Sequence, residues 1–327
     1  MNYIGSKTKL LPFLQACVQE HVGSLEQKVM CDLFAGSGAV GRAFKPLVKT
    51  LISNDIEYYS FVLNQRSLQK EASQRCKGLI NVLQHLSPIK GFIYEEYSVD
   101  GRSSRAYFSA ENAQKIDAIR LQIEAWKGRL LEEEYFCLLA SLLEAADKVA
   151  NTTSIYTSFL KSMKKTAQKP LHLELPLYEE PCRTKHLVFQ QDANQLIETI
   201  QGDILYLDPP YNIRQYGATY HLLNTIALYD RFEPQGKTGL RAYYKSRYCG
   251  RKKALHALHE LIAKARFETI FLSYNDEGLL QEDEIGELMR RYGNYTCRKI
   301  HHPRLKTHNL NKTATKTTTE HLHILQK

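Results

Sequence analysis

Residues Asp203 to Tyr211 read Asp-Ile-Leu-Tyr-Leu-Asp-Pro-Pro-Tyr, an apolar run that meets two consecutive prolines. Ile204 to Leu207 suits a strand, and Pro209-Pro210 must end it. Each proline ring fixes φ near about −65° and removes a backbone donor, so neither a helix interior nor a sheet ladder continues through the pair. The chain therefore leaves the carboxyl end of a strand in a rigid loop. That loop carries one carboxylate, proline carbonyls with no N–H beside them, and an aromatic ring. Such a set suits a flat, hydrogen-bonding ring, with acceptors on an exocyclic amino group and the tyrosine on its face. A Pro-Pro turn that only closes a strand is the plainer reading, and Asp208 before it with Tyr211 after it argues against that.

A second strand-to-loop transition lies near the start of the chain. Val29-Met30-Cys31 is apolar and runs into Asp32-Leu33-Phe34-Ala35-Gly36-Ser37-Gly38-Ala39-Val40-Gly41. A strand that ends in a glycine-rich turn and opens a helix lets a nucleoside-bearing ligand approach the backbone closely. Gly36, Gly38 and Gly41 also fit Gly-x-Gly-x-x-Gly, so a dinucleotide remains open as the ligand. Thr50 to Ser53 reads as the next strand and ends at Asn54-Asp55. An acid at that point accepts hydrogen bonds from ribose hydroxyls, which serves NAD and an adenosyl cofactor alike.

The spacing of apolar residues organises the rest. Leu10, Leu11, Leu14 and Val18 mark the buried face of a first amphipathic helix, and residues 1–63 read as the first half of a doubly wound sheet. From Asn64 to about Lys185 helical signals dominate, above all Asp117–Trp126 and Glu132–Val149. Leu187–Phe189, Ile204–Leu207 and Thr269–Leu272 read as further strands, and Tyr292–Ile300 with His321–Leu325 as a closing hairpin. No run approaches the roughly 18 apolar residues that a membrane span needs. Seven cysteines without Cys-x-x-Cys spacing and no signal-peptide-like start point to reduced thiols and a cytoplasmic protein. The histidine pairs His256/His259, His301/His302 and His321/His323 lack cysteine or carboxylate company at metal-site spacing, so no metal is expected. The alternation around His321 and His323 suggests that they face solvent.

Charge adds a class of partner. Lys plus Arg total 44 against 35 acids, a net +9 that favours a polyanion. No acid occurs from Leu288 to Thr319, which includes Arg298, Lys299, Arg304 and Lys306, or from Arg241 to Lys253. In the second stretch Arg241, Lys245, Arg247, Arg251, Lys252 and Lys253 alternate with tyrosines, a pattern suited to phosphates and unstacked bases. A solvated charged face is the bland alternative for either stretch.

Together, Asp32 to Gly38 and Asp208 to Tyr211 resemble the cofactor and catalytic loops of amino-methyltransferases that use S-adenosyl-L-methionine. Asn2-Tyr3-Ile4-Gly5-Ser6-Lys7 is similar to the aromatic-x-Gly-x-Lys start of the D12, or Dam-like, adenine-specific DNA methyltransferases. The order of lysine motif, glycine loop, long insert and Asp-Pro-Pro-Tyr matches the α arrangement of that class. Tyr3 in place of the commoner tryptophan, and Ser6 in place of a second glycine, depart from the pattern.

The resemblance implies an α/β, Rossmann-like methyltransferase sheet formed by residues 1–63 and 186–327, with a mainly helical target-recognition region inserted at 64–185. It implies transfer of a methyl group to adenine N6 in duplex DNA after base flipping, with Asp208, Pro209, Pro210 and Tyr211 as the catalytic loop. Around the cofactor, Tyr3 would lie beside it, Lys7 near its carboxylate or the Asp208 loop, and Phe34, Ala35, Gly36, Ser37 and Gly38 would wrap its methionine portion. Asp32 would meet the amino group, Asp55 the ribose and Ile56 the adenine face, with Asp192 and Ala193 at its edge. Asp192 also reads as a helix N-cap before Asn194–Ile200. A restriction endonuclease is the expected functional partner. An RNA methyltransferase is the alternative within the class, since similar loops occur in ribosomal RNA enzymes. A non-catalytic nucleic-acid-binding module would not need an intact Asp208 loop, and an NAD enzyme would leave that loop, Lys7 and the basic stretches unexplained.

Overall fold

The computed structural model describes residues 5–68, 74–175, 186–303 and 317–327. After a 3-10 turn at Lys7–Leu10, helices and strands alternate: α1 (Leu11–Val22), β1 (Val29–Asp32), α2 (Ala39–Phe44), β2 (Thr50–Asn54) and α3 (Tyr58–Leu68). A run of helices follows: α4 (Gln74–Gln84), α5 (Phe92–Tyr97), α6 (Ala110–Trp126) and α7 (Glu132–Val149). The sheet resumes with β3 (Leu187–Phe189), α8 (Ala193–Leu196) and β4 (Gln201–Leu207), before α9 (Tyr216–Thr219), α10 (His221–Leu228), α11 (Arg251–Lys264), β5 (Arg266–Asn275), α12 (Glu282–Arg290), β6 (Asn294–Pro303) and β7 (Thr317–Gln326).

The seven strands form one sheet in the order β3-β2-β1-β4-β5-β7-β6. The first five are parallel, and β7 runs antiparallel between β5 and β6. This is a doubly wound, Rossmann-like α/β sheet closed by a hairpin. The central strands are continuous apolar runs because both faces are covered. Met30, Ile204, Tyr206 and Phe271 pack on one face with α1 and α2 residues such as Leu14 and Phe44. Cys31, Leu205, Leu207 and Ile270 pack on the other with Leu196, Leu258, Leu261 and Ile285. A third core joins the helices that follow β2: Leu63, Leu83, Ile119, Leu139 and Leu143 pack with Leu223 and Ile226 of α10. The helical layer thus includes residues that follow the Asp208 loop.

One expectation changes. His323 is fully buried and the His321 side chain is only 12% exposed, so these residues do not face solvent. The reason is the position of β7 inside the sheet, where α12 packs against the hairpin. Among the described residues, no helix is long and apolar enough to cross a membrane.

β1 pairs with β2 on one side and β4 on the other, so the winding of the sheet reverses between β1 and β4. Open α/β sheets bind ligands at the carboxyl ends of the strands at such a reversal. Asp32 stands opposite Tyr206, which places the glycine loop and the Asp-Pro-Pro-Tyr loop side by side at that edge.

Candidate active site

The glycine loop is held open by its own backbone. Gly36 and Gly38 have φ of 52° and 72°, in the left-handed region that favours glycine. A Cβ on Gly38 would sit 2.6 Å from Asn64 Oδ1, so the position is closed to larger residues on steric grounds as well. Ala35 N–H donates to the Asn54 carbonyl (2.9 Å), Gly36 N–H donates to Asp55 Oδ2 (2.8 Å), and the Ser60 hydroxyl donates to the Gly36 carbonyl (2.5 Å). The loop therefore hangs between the ends of β1 and β2 and α3.

Below it lies a cleft, partly open to solvent, with a cavity volume of about 90 Å³. Its lining includes Lys7, Asp32, Phe34, Ala35, Gly36, Ser37, Asp55, Ile56, Asp192, Ala193 and Asp208, all expected from the sequence, together with Pro210. Gly38 stands behind the loop as the residue preceding α2, and Tyr3 falls outside the described residues. Phe34 meets Tyr248 edge to face at 5.2 Å between ring centroids.

Carboxylates crowd the cleft. Asp32 is buried, and burial pushes its pKa up to about 8, with Asp208 and Asp55 adding repulsion against a single backbone donor, Gly41 N–H. Its Oδ1 is buried without a hydrogen-bond partner. An oxygen left in that state suits a cationic donor from a ligand. Burial also raises Asp55, against N–H donors from Glu57 and Gly36. Glu57, buried beside it, is raised to about 7 by burial and then by Asp55, while Asn224 donates to it at 2.5 Å.

At the mouth of the Asp-Pro-Pro-Tyr loop, Lys7 Nζ lies 3.1 Å from Asp208 Oδ1 and 2.7 Å from Glu320 Oε1. Burial opposes the charge on Lys7, but the two acids hold its pKa well above the ordinary lysine range. Burial lifts Asp208 to about 6, with Lys7 pulling it down and Glu320 pushing it up. Asp208 is thus a carboxylate at neutral pH, fixed by one buried cation. Lys7 Nζ also lies 5.6 Å from the Tyr211 ring centroid, and Tyr211 meets Tyr274 edge to face at 5.8 Å. The Tyr211 carbonyl accepts from Leu279 N–H at 2.8 Å, tying the loop to the segment after β5.

Asp192 is the N-cap of α8, accepting from Asn194 and Gln195 N–H, and it also receives the Tyr244 hydroxyl at 2.5 Å on the cleft wall. The N-cap reading of that residue holds, with α8 ending at Leu196. The basic stretch behaves unevenly. Arg241 pairs with Asp230 (2.8 Å), Arg247 with Glu260 (2.8 Å) and Arg251 with Glu284 (3.3 Å), while Lys245, Lys252 and Lys253 are exposed. Arg247 lines the cleft itself. Arg304 and Lys306 lie outside the described residues.

Sequence reasoning missed Glu320, Glu57, Gln215 and Tyr216, and read Tyr244 and Tyr248 only as part of the basic stretch, whereas both line the cleft. Glu320 had one signal: it ends the acid-free run that begins at Leu288. Its place beside Lys7 follows from β7 lying next to β5, where it pairs with Asn275.

A glycine loop, an acid after the second strand and an acidic Pro-Pro loop meet around one cleft at the carboxyl edge of a doubly wound α/β sheet. The chain matches the D12 class N6 adenine-specific DNA methyltransferase family over residues 3–288. It is 52% identical to type II methyltransferase M.NlaIII of Neisseria lactamica, covering all of this chain and 99% of that protein. It is 36% identical to type II methyltransferase M.CviAII of Paramecium bursaria Chlorella virus 1, covering 94% and 93%. With type II methyltransferase M.FokI of Planomicrobium okeanokoites it shares 40% identity over 90% of this chain, which spans about half (47%) of that protein. The chain belongs to the D12 class of N6 adenine-specific DNA methyltransferases.

Proposed function

We propose that this cleft binds S-adenosyl-L-methionine and that the Asp208 loop receives an adenine flipped out of duplex DNA. The observation that carries the reading is the cleft itself: Asp32 with an unpartnered buried oxygen and Asp208 held by Lys7 line one space. In this reading Asp32 takes the ammonium of the methionine portion, Phe34 to Gly38 surround that portion, and Asp55 accepts from the ribose hydroxyls. Ile56 covers the adenine ring, and Ala193 with Asp192 bounds its edge. When bound, the cofactor supplies an electrophilic methyl group on a sulfonium centre.

The protein's own part is to make a conjugated amine nucleophilic. Lys7 fixes Asp208 Oδ1, which leaves the second oxygen to accept one hydrogen of the N6 amino group; the Pro209 carbonyl accepts the other. Two acceptors shift the nitrogen towards sp³ and stabilise the positive charge that develops on it. Holding the nitrogen in line with the methyl group supplies the rest as orientation. Extruding the base costs a few kcal/mol, and stacking on Tyr211 returns roughly 1–3 kcal/mol.

Residues 64–185, with the α10 segment that shares their core, serve as the target-recognition region. Exposed Lys245, Lys252 and Lys253 meet backbone phosphates. The biological setting is the bacterial type of modification system in which methylation blocks a cognate restriction endonuclease, in the cytoplasm. The test is transfer of labelled methyl from S-adenosylmethionine to duplex oligonucleotides by the wild type and by Asp208→Ala. Losing an acceptor for developing charge should cost on the order of 10²–10³ in rate with the fold intact. Transfer within tenfold of wild type would sink the assignment of Asp208.

A further inference from the structure

The hairpin at the sheet's far edge brings together three side chains that are scattered in the sequence. Cys297 in β6 is the direct partner of His323 in β7, and His321, two residues away, lies on the same face. One ligand atom from each of the three lies within 4.8 Å of the others. His323 is fully buried; its Nδ1 pairs with the Tyr295 hydroxyl at 2.9 Å, and its Nε2 has no hydrogen-bond partner. A buried ring nitrogen left unsatisfied is a cost that a ligand would remove. His321 has an outer partner of its own: Glu282 Oε2, on the first turn of α12, is 3.5 Å from its Nδ1. Lys299 Nζ sits 2.6 Å from the same carboxylate oxygen and steadies it.

We propose that Cys297, His321 and His323 form a binding site for a zinc-class divalent metal ion. A thiolate with two imidazoles is a donor set that suits zinc, and it disfavours magnesium and calcium, which take oxygen ligands. The Tyr295 hydroxyl and the Glu282 carboxylate, which contact the two imidazoles at Nδ1, are the kind of outer partner that orients metal-binding histidines. Histidine pairs without cysteine company in the sequence gave no such site; strand pairing supplies the cysteine. The site lies on the hairpin under α12, and its role is to clamp that helix to β6 and β7.

The test uses the full chain, stripped with chelator and dialysed against zinc or cobalt(II) alone. Wild type should retain one metal ion per chain by elemental analysis, show thiolate-to-cobalt charge-transfer absorption, and melt at a higher temperature with zinc than without. Cys297→Ser should lose the absorption band, and both Cys297→Ser and His321→Gln should bind zinc at least tenfold more weakly and lose the thermal shift. These two positions are partly exposed, so their variants avoid the packing loss expected at buried His323. Wild type that binds no metal, or a Cys297→Ser variant that binds as wild type does through another of the seven cysteines, overturns the proposal. None of these readouts depends on methyl transfer.

Discussion

Replacing Lys7 with Met isolates what its charge does. Lys7 Nζ stands between Asp208 Oδ1 at 3.1 Å and Glu320 Oε1 at 2.7 Å, and all three side chains are largely shielded from water. Breaking a buried ion pair by removing one partner costs about 3–5 kcal/mol. A unit charge at such a separation, at an effective dielectric near 20, gives a value at the upper end, about 5 kcal/mol. At about 1.36 kcal/mol per pKa unit this lifts Asp208 by roughly two to four units, from about 6 to at least about 8. Near pH 7.5 the ionised fraction would then fall by about 4-fold to about 300-fold, and kcat/KM for DNA should fall with it. The assay is kcat/KM for duplex DNA at saturating S-adenosylmethionine across pH, with melting temperatures of both proteins as a check on folding. Wild type should lose activity as pH drops through about 6; Lys7→Met should carry its acid limb two or more units higher and recover towards alkaline pH. Adding Glu320→Gln should bring the limb part of the way back by removing the facing carboxylate. A Lys7→Met profile parallel to that of wild type, merely lower at every pH, refutes the electrostatic role.

Three further outcomes are expected. Because Asp32 titrates at about 8 in the free protein and an ammonium pairs with its ionised form, S-adenosylmethionine affinity by calorimetry should rise by up to about tenfold per unit between roughly pH 6 and 7.5. Asp32→Asn should weaken binding and flatten that rise, and a flat wild-type curve contradicts the role given to Asp32. Tyr211→Phe should keep appreciable activity while Tyr211→Ala loses most of it; equal loss in both would assign the work to the hydroxyl instead of the ring face. Changing Lys245, Lys252 and Lys253 together to Ala should weaken binding to every DNA sequence and reduce the log–log salt slope by up to about 3, and an unchanged slope means that this face points away from DNA.

The parts legible in the sequence are those whose structure is set locally. Central strands such as Met30–Cys31 and Ile204–Leu207 read as apolar runs because helices cover both sheet faces, and glycine or proline marks where each ends. Helix α7 was readable to its bounds, Glu132–Val149, from apolar spacing after three acids. The residues that line the cleft were readable as a group because many of them sit in the loops directly after β1, β2, β3 and β4. The closing hairpin was legible, but its register and the place of β7 between β5 and β6 were not, and these bring Glu320 to Lys7 and set Cys297 opposite His323. The same limit applies to the basic stretch, where Glu260 and Glu284, from other parts of the chain, take up Arg247 and Arg251.

The central claim, methyl transfer to adenine N6 through the Asp208 loop, is tested most directly on the product. Duplex DNA incubated with the protein and S-adenosylmethionine would be digested to nucleosides and analysed by mass spectrometry beside an Asp208→Ala control. N6-methyladenine should appear with wild type and be lost with the variant; N4-methylcytosine as the main product, with no N6-methyladenine, would contradict it.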